Sequence, residues 1–286
     1  MPPDDPSTID GDIWVRPRYL AGSTAIGDPA LDPLLNLGWT LEHDDLANVY
    51  LSAPDRTIRL GYLPEGEDDG LWRINAYKDP FATPTWGVCF NDSCPTEVVT
   101  AFTTALATAY QQGPHAYLAA PDPSNTDQDP IHALSPLIKR GWTLNRPRGG
   151  VLALQAPDRL ASCELTMKDL DPEDELTSRT ARWHLWAGAS IDAYAWYATA
   201  SSDTPVGLVT AITACVSDPA PLPRWSQETH SYVQGLAQLT PARPPNPPAP
   251  TPLDVRRAAR PTTLPARSIP RWSTTTPRPA APGPRH

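Results

Sequence analysis

The chain has 286 residues, enough for two ordinary domains that each bury a hydrophobic core. Its net charge of −9 is divided unevenly: from residue 241 onward there are eight arginines and one acid, a net of +7, which leaves −16 for residues 1–240. No apolar run is long enough to cross a bilayer, and the first residues are polar and acidic. We therefore expect neither a membrane span nor a secretion signal, and predict a cytoplasmic protein.

Most of the chain consists of a module that occurs twice. The recurring segments are residues 19–21 and 117–119 (Tyr-Leu-Ala), 38–41 and 141–144 (Gly-Trp-Thr-Leu), and 53–56 and 156–159 (Ala-Pro-Asp-Arg). The last two pairs share an offset of 103 positions, so there is no net insertion between them. Self-similarity over this length predicts a duplicated domain rather than a short-period solenoid.

The first module, residues 14–113, is predicted to have an α+β fold. A lead segment at residues 14–22 precedes a short helix near residues 29–37, which is expected to end at the following glycine. About five short antiparallel strands follow, among them residues 58–62, whose apolar side chains alternate with period two. A helix over residues 95–110 carries an apolar stripe, and we expect it to pack on one sheet face.

The second module, residues 114–240, is predicted to repeat these elements, with its main helix starting near Pro205. A short additional helix is expected within residues 218–240. Residues 1–13 are predicted to be disordered. So is the basic tail of residues 241–286, which is rich in proline and arginine, contains fourteen prolines and has no periodic apolar face.

Paired tryptophans are the most prominent shared side chains of the two modules. We interpret them as core anchors of a small sheet, where truncation to alanine would cost about 3–5 kcal/mol. The other interpretation is an aromatic platform that stacks bases or prolines, which requires several rings exposed on one face beside arginines. The six anchors are Trp39, Trp72, Trp86, Trp142, Trp183 and Trp196.

The repeated Ala-Pro-Asp-Arg segments are interpreted as turns. Proline fixes φ at the second turn position and aspartate favours the third, so Pro54, Asp55, Pro157 and Asp158 are predicted structural anchors. A repeated acid/base pair is the alternative, but general acid/base work needs carboxylates that converge on a pocket in different environments. The turn explains the proline, the aspartate and their position together.

No cofactor, metal site or catalytic residue is predicted. The acidic segments 65–69 and 169–175 lack the ligand spacing of a calcium loop, so each is interpreted as a solvated hairpin loop or an acidic docking surface. The four cysteines have no metal-site spacing and are expected to be reduced and mostly buried. The six histidines form no zinc-binding pair, and no phosphate loop or nucleophile motif occurs.

Several landmarks together resemble a known family. They are residues 14–22 (Trp-Val-Arg-Pro-Arg-Tyr-Leu-Ala-Gly), the Gly-Trp and Ala-Pro-Asp motifs, the paired tryptophans and the helix at Pro95. Over roughly residues 14–216 the chain is similar to the actinobacterial SPDY family, catalogued as domain of unknown function 317. The resemblance implies two tandem copies, but no established activity, cofactor or catalytic residue. Both copies depart from the family motif Ser-Pro-Asp, because Ala53 and Ala156 replace its serine.

These observations predict a non-enzymatic interaction or scaffold protein, whose body docks a protein partner while the basic tail adds electrostatic tethering. Two alternatives stay open. The protein could be a nucleic-acid-binding regulator, through a basic aromatic face of the body or through nonspecific contacts of the tail. It could also be an enzyme with a pocket between the modules, where Asp, Glu or His side chains converge. The predicted tether residues are Arg256, Arg257, Arg260, Arg267 and Arg271.

Overall fold

A computed structural model describes most of the duplicated region and its flanks. The described residues are 12–24, 26–64, 72–178, 180–191, 193–229, 233 and 235–242. The first element, strand β1 (Asp12–Arg16), overlaps the last two residues of the segment predicted to be disordered. Helix α1 (Asp28–Leu35) lies where the leading helix is predicted, and Gly38 follows it with a φ of +76°, a left-handed conformation that glycine adopts readily.

Five antiparallel strands of the first half form a meander in which each strand pairs with the next. They are β2 (Thr40–His43), β3 (Val49–Ser52), β4 (Ile58–Tyr62), β5 (Trp72–Ala76) and β6 (Trp86–Phe90). Buried and less buried side chains alternate in β5 and β6, so one sheet face is covered while the other stays open. Helix α2 (Thr96–Gln112) covers the buried face, where the Phe102 ring contacts Trp86 and Phe90.

The second half repeats this order. Its elements are α3 (Pro114–Tyr117), α4 (Ile131–Lys139), β7 (Thr143–Leu144), β8 (Val151–Gln155), β9 (Ala161–Thr166), α5 (Pro172–Thr177), β10 (Trp183–Ser190), β11 (Ala193–Ala200) and α6 (Val206–Ser217). Helix α4 packs on α6 as α1 packs on α2, and the two main helices α2 and α6 contact each other. The fold is therefore α+β, with the same arrangement in each copy.

The two five-stranded meanders join into one ten-stranded sheet. Their last strands, β6 and β11, pair antiparallel with Phe90 opposite Ala198, Cys89 opposite Thr199 and Val88 opposite Ala200. The strand order is β2-β3-β4-β5-β6-β11-β10-β9-β8-β7, so the two copies meet at the centre of the sheet. A single hydrophobic core containing residues of both copies lies beneath it.

A second, three-stranded sheet is built from distant parts of the chain. Strand β1 lies between β12 (Leu222–Trp225) and β13 (Gln238–Pro241) and pairs antiparallel with both. The segment 218–240, where a short helix is expected, therefore contributes strands at both ends. In β12 buried and exposed side chains alternate, the period-two pattern of a strand with one covered face.

The second acidic segment departs from the prediction. Residues 169–175 were expected to form a solvated hairpin loop, but they contain the start of α5. The Asp171 side chain accepts hydrogen bonds from the backbone N–H groups of Glu173 and Asp174, and Pro172 occupies the first helical position. An aspartate cap followed by proline and acidic residues favours a helix start, which explains the difference. The first acidic segment, residues 65–69, lies outside the described residues.

Candidate functional sites

The duplicated turns share their backbone geometry. The Arg56 N–H donates to the Ala53 carbonyl at 2.8 Å, and the Arg159 N–H donates to the Ala156 carbonyl at 2.9 Å. Both arginines have a positive φ, +59° and +65°, in the left-handed region. Asp55 accepts a hydrogen bond from the backbone N–H of Thr57 at 3.1 Å, and Asp158 accepts one from the backbone N–H of Leu160 at 2.9 Å. These contacts are those of a turn that starts a hairpin strand.

The first Tyr-Leu-Ala segment contacts the second half of the chain. The Trp196 indole N–H donates to the Tyr19 carbonyl at 2.6 Å, and the Tyr19 hydroxyl donates to Asp158 at 2.6 Å. The Tyr19 ring also meets Trp142 edge to face at 5.9 Å between ring centroids. Burial, followed by the hydrogen bond to Asp158, raises the pKa of Tyr19 well above its ordinary value.

The second Tyr-Leu-Ala segment makes the matching contacts with the first half. The Trp86 indole N–H donates to the Tyr117 carbonyl at 2.8 Å, and the Tyr117 hydroxyl lies 3.0 Å from that of Thr57, which donates to Asp55. Each half is thus completed by a segment that the sequence assigns to the other module. The paired tryptophans serve these contacts and the core, and the six predicted anchors are all buried.

A groove of about 220 Å³ lies on the open sheet face, at the seam between the copies. Arg73, Asn75 and Cys89 of the first half line it together with Tyr197 and Thr199 of the second. We call it the seam groove. Helix α5 forms its other wall, and this helix approaches the sheet closely. A Cβ at Gly87 would lie 2.8 Å from the ends of the Leu176 and Asn75 side chains, both of which would have to move.

The only acid that lines the seam groove among the described residues, Glu175, has a structural role. Its carboxylate accepts the backbone N–H of Arg182 at 2.8 Å, and the backbone N–H and hydroxyl of Ser202, each at 3.0 Å. These hydrogen bonds satisfy the buried Glu175 carboxylate, and through them Glu175 holds α5 against the sheet. A neighbouring groove of about 190 Å³ shares Glu175 and is also lined by Asp169, Asp203 and Arg182.

A row of polar side chains crosses the open sheet face in direct register. Arg73, Cys89, Thr199, His184 and Glu164 are successive cross-strand partners on β5, β6, β11, β10 and β9. Glu164, at the end of this row, accepts a hydrogen bond from the Trp186 indole N–H at 3.0 Å, and its carboxylate lies 4.0 Å from the His184 imidazole. The row spans both copies, so it exists only because the two sheets are joined.

The buried thiols do not have the character of nucleophiles. Burial raises the pKa of Cys94 and Cys163 well above the ordinary value, and it raises that of Cys215 to about 11. The four cysteines, all within the described residues, form no disulfide. Within the described ranges, no group of three or more His, Cys, Asp or Glu side chains is placed to hold a metal ion.

The three-stranded sheet exposes an aromatic surface. Trp14 of β1 is directly opposite Pro223 of β12, and Trp225 stands two residues farther along β12, opposite Asp12. The two indoles are 40% and 43% exposed, and Pro223 is exposed as well. Arg16 lies on the same face of β1. We call the surface formed by Trp14, Pro223 and Trp225 the tryptophan face.

A partly buried ion pair fixes this small sheet to the body. Arg224, on the covered face of β12, makes two hydrogen bonds to the Glu97 carboxylate of α2, at 2.7 and 2.8 Å. It also donates to the carbonyl oxygens of Ala21 and Gly22. Paired guanidinium–carboxylate bonds set orientation as well as distance, so the tryptophan face is held rigidly on the body.

Sequence reasoning missed the tryptophan face. The alternation in Asp-Ile-Trp-Val-Arg at residues 12–16 indicates a strand with its tryptophan on the exposed side, but the predicted disorder of residues 1–13 concealed it. The tail residues predicted to tether a partner lie outside the described part of the chain. These are Arg256, Arg257, Arg260, Arg267 and Arg271.

The repeated elements define a duplicated α+β domain whose two copies share one sheet. The model of the SPDY family, Domain of unknown function (DUF317), matches residues 52–111 and 155–222, so the chain carries two tandem copies of this domain. Comparison with curated proteins and comparison with solved structures gave no match. The three residues of the tryptophan face lie outside both matched segments. Among the helices of the described residues, none combines the length and apolar character needed to cross a bilayer.

Proposed function

We propose that this chain is a non-enzymatic interaction protein, whose body docks a protein partner through the tryptophan face. The observation that carries the proposal is the exposure of two indoles around one proline on a rigidly held sheet. Tryptophan dominates the binding energy of protein interfaces, because it brings a large contact area and loses little conformational freedom on binding. All three residues of the face lie outside the two matched segments, and Pro223 directly follows the second one.

The chemistry of the seam groove supports a non-enzymatic role. Its one acid is engaged by backbone and hydroxyl donors, and the buried thiols near the core are held protonated. The polar row that crosses the open face is spread over five strands and is not gathered around one reacting position.

The charge division supports an accessory role for the basic tail. Residues 1–240 carry −16 and residues 241–286 carry +7, so the two parts suit oppositely charged surfaces. We propose that Arg256, Arg257 and Arg260, with the arginines that follow them, tether the partner electrostatically. A cytoplasmic location and an actinobacterial source, expected from composition and family resemblance, belong to this proposal.

Affinity capture from the native cell tests the proposal. Tagged full-length protein is compared with Trp14→Thr and Trp225→Ser variants, and with Phe81→Ser as the matched control, because Phe81 is 96% exposed but distant in sequence from the small sheet. We expect one protein to be recovered with the wild type and with the control, but lost with both tryptophan variants. Equal recovery with all four proteins would contradict docking through this face.

Removal of residues 243–286 tests the tether. We expect weaker recovery of the same protein and a flatter dependence on salt, because surface charge attraction is screened as ionic strength rises. A salt dependence that is unchanged by the deletion would refute tethering and leave docking through the tryptophan face standing.

A further inference from the structure

We infer that the tryptophan face recognises a proline-rich, arginine-bearing segment of a partner protein in the polyproline II conformation. This inference rests on the proposed function and names the chemistry of the docked segment. It follows from the strand positions of the two exposed tryptophans, from indole N–H donors that no described residue accepts, and from the charge around them.

The positions of the two tryptophans on their strands suit a polyproline helix. Trp14 and Trp225 are diagonal neighbours on paired antiparallel strands, and such neighbours stand about 7–8 Å apart. A polyproline II helix repeats every three residues, over about 9 Å, so prolines on one side of it can contact both indoles. Pro223, opposite Trp14, lies on the same exposed face and adds an apolar ring to the surface. A segment that is already extended loses little conformational entropy on docking there.

The hydrogen-bonding groups of the two partners also match. Neither the Trp14 nor the Trp225 indole N–H donates to a group of the described residues, whereas Trp86 and Trp196 donate to carbonyls of the core. A polyproline II backbone has no internal hydrogen bonds, so its carbonyl oxygens are available as acceptors. Two exposed indoles can therefore hold such a segment by ring contact and by N–H donation at once.

Charge selects an arginine-bearing peptide over a nucleic acid. The same aromatic surface could stack bases, because every base has a π face. However, Asp12 is directly opposite Trp225, and residues 1–240 carry a net charge of −16, so a chain of phosphates is repelled. Arg16 is the one basic residue of β1 on this face. An arginine of the docked segment would be attracted to Asp12 and to the acidic body.

Fluorescence anisotropy with a defined probe tests the inference. The probe is a fluorescein-labelled peptide, Arg-Pro-Pro-Ala-Pro-Pro-Ala-Pro, titrated with the full-length chain. We expect Trp14→Thr and Trp225→Ser each to weaken binding at least about 10-fold, whereas Phe81→Ser leaves it unchanged. Trp14→Phe keeps a ring without the N–H, so its affinity should fall between those of the wild type and Trp14→Thr. Circular dichroism melts identify any variant that fails to fold. The phenylalanine variant at the same position, Trp14→Phe or Trp225→Phe, then replaces it, with a smaller loss of affinity expected.

Two control probes test the chemistry of the ligand. A peptide with alanine in place of every proline should bind at least about 10-fold more weakly. A peptide with glutamate in place of arginine should bind more weakly at low salt, by a margin that shrinks as salt rises. Equal binding of the proline and alanine peptides overturns the inference. Tryptophan-dependent binding of a twelve-residue oligothymidine without binding of the proline peptide also overturns it.

Two further outcomes separate this inference from the proposed function. If the peptide does not bind but a cellular partner is still lost with the tryptophan variants, the inference fails and docking through the face stands. If the peptide binds but no partner depends on the tryptophans, docking of a protein partner fails. Tighter peptide binding after removal of residues 243–286 would show that the chain's own tail competes for the face, which overturns the assignment to a partner.

Discussion

Tyr19→Phe removes a hydroxyl that joins the lead segment to the second duplicated turn. The Tyr19 hydroxyl donates to the Asp158 carboxylate at 2.6 Å, and the side chain is 6% exposed. Because a hydrogen bond to a charged group contributes about 1.5–3 kcal/mol, we expect the substitution to lower the free energy of unfolding by about 2 kcal/mol. Tyr117→Phe should lower it by about 1 kcal/mol, because Tyr117 meets the neutral hydroxyl of Thr57 at 3.0 Å.

Urea unfolding followed by circular dichroism measures both differences, and thermal unfolding gives an independent check. A loss of about 2 kcal/mol corresponds to a Tm decrease of about 4–8 °C for a body of this size. Tyr50→Phe is the control, because the Tyr50 hydroxyl contacts Asp44 at the solvent-exposed surface and should show no measurable change. Equal losses for Tyr19→Phe and Tyr117→Phe would refute the argument that the charged acceptor makes the first contact stronger.

Three further predictions concern the same contacts and their neighbours. The pKa of Tyr19 is raised in the folded state, so above about pH 10 the unfolded chain loses the Tyr19 proton before the folded chain does. The free energy of unfolding should therefore fall more steeply between about pH 10 and 12 for the wild type than for Tyr19→Phe. Arg224→Ala leaves a carboxylate and two carbonyls without their donor, so we expect a loss of about 3 kcal/mol and faster amide hydrogen exchange in β1. Gly87→Ala should cost no more than about 1 kcal/mol in urea unfolding, because the new Cβ would lie 2.8 Å from the ends of the flexible Leu176 and Asn75 side chains, which can move aside. Gly207→Ala, with nothing within 4 Å, should be at least as stable as the wild type.

Local pattern in the sequence predicted the repeated elements well. The shared offset of 103 positions indicated two copies, and the period-two alternation at residues 58–62 indicated the strand that β4 forms. How the copies are joined could not be predicted. A repeat defines which residues are equivalent, but it carries no information about which strand edges pair, so the β6–β11 seam and its groove emerged only from the structure.

Long-range contacts account for the remaining differences. The repeat assigned Tyr19 to the first module and Tyr117 to the second. In the structure, Tyr19 contacts the second half of the chain and Tyr117 contacts the first. Strand β1 pairs with strands more than two hundred positions away, and such pairing leaves no local trace. The start of α5 was predictable, because Asp171 followed by proline and acidic residues is typical of a helix N-terminus.

The position of β1 between β12 and β13 has a consequence during protein synthesis. A nascent chain that lacks residues 222–241 contains Trp14 on β1. It lacks both strands that pair with β1, namely β12, which carries Trp225, and β13. The tryptophan face is therefore assembled only after the ribosome has made nearly all of the body, and a chain truncated earlier does not present it. A partner that docks there would distinguish finished molecules from incomplete ones.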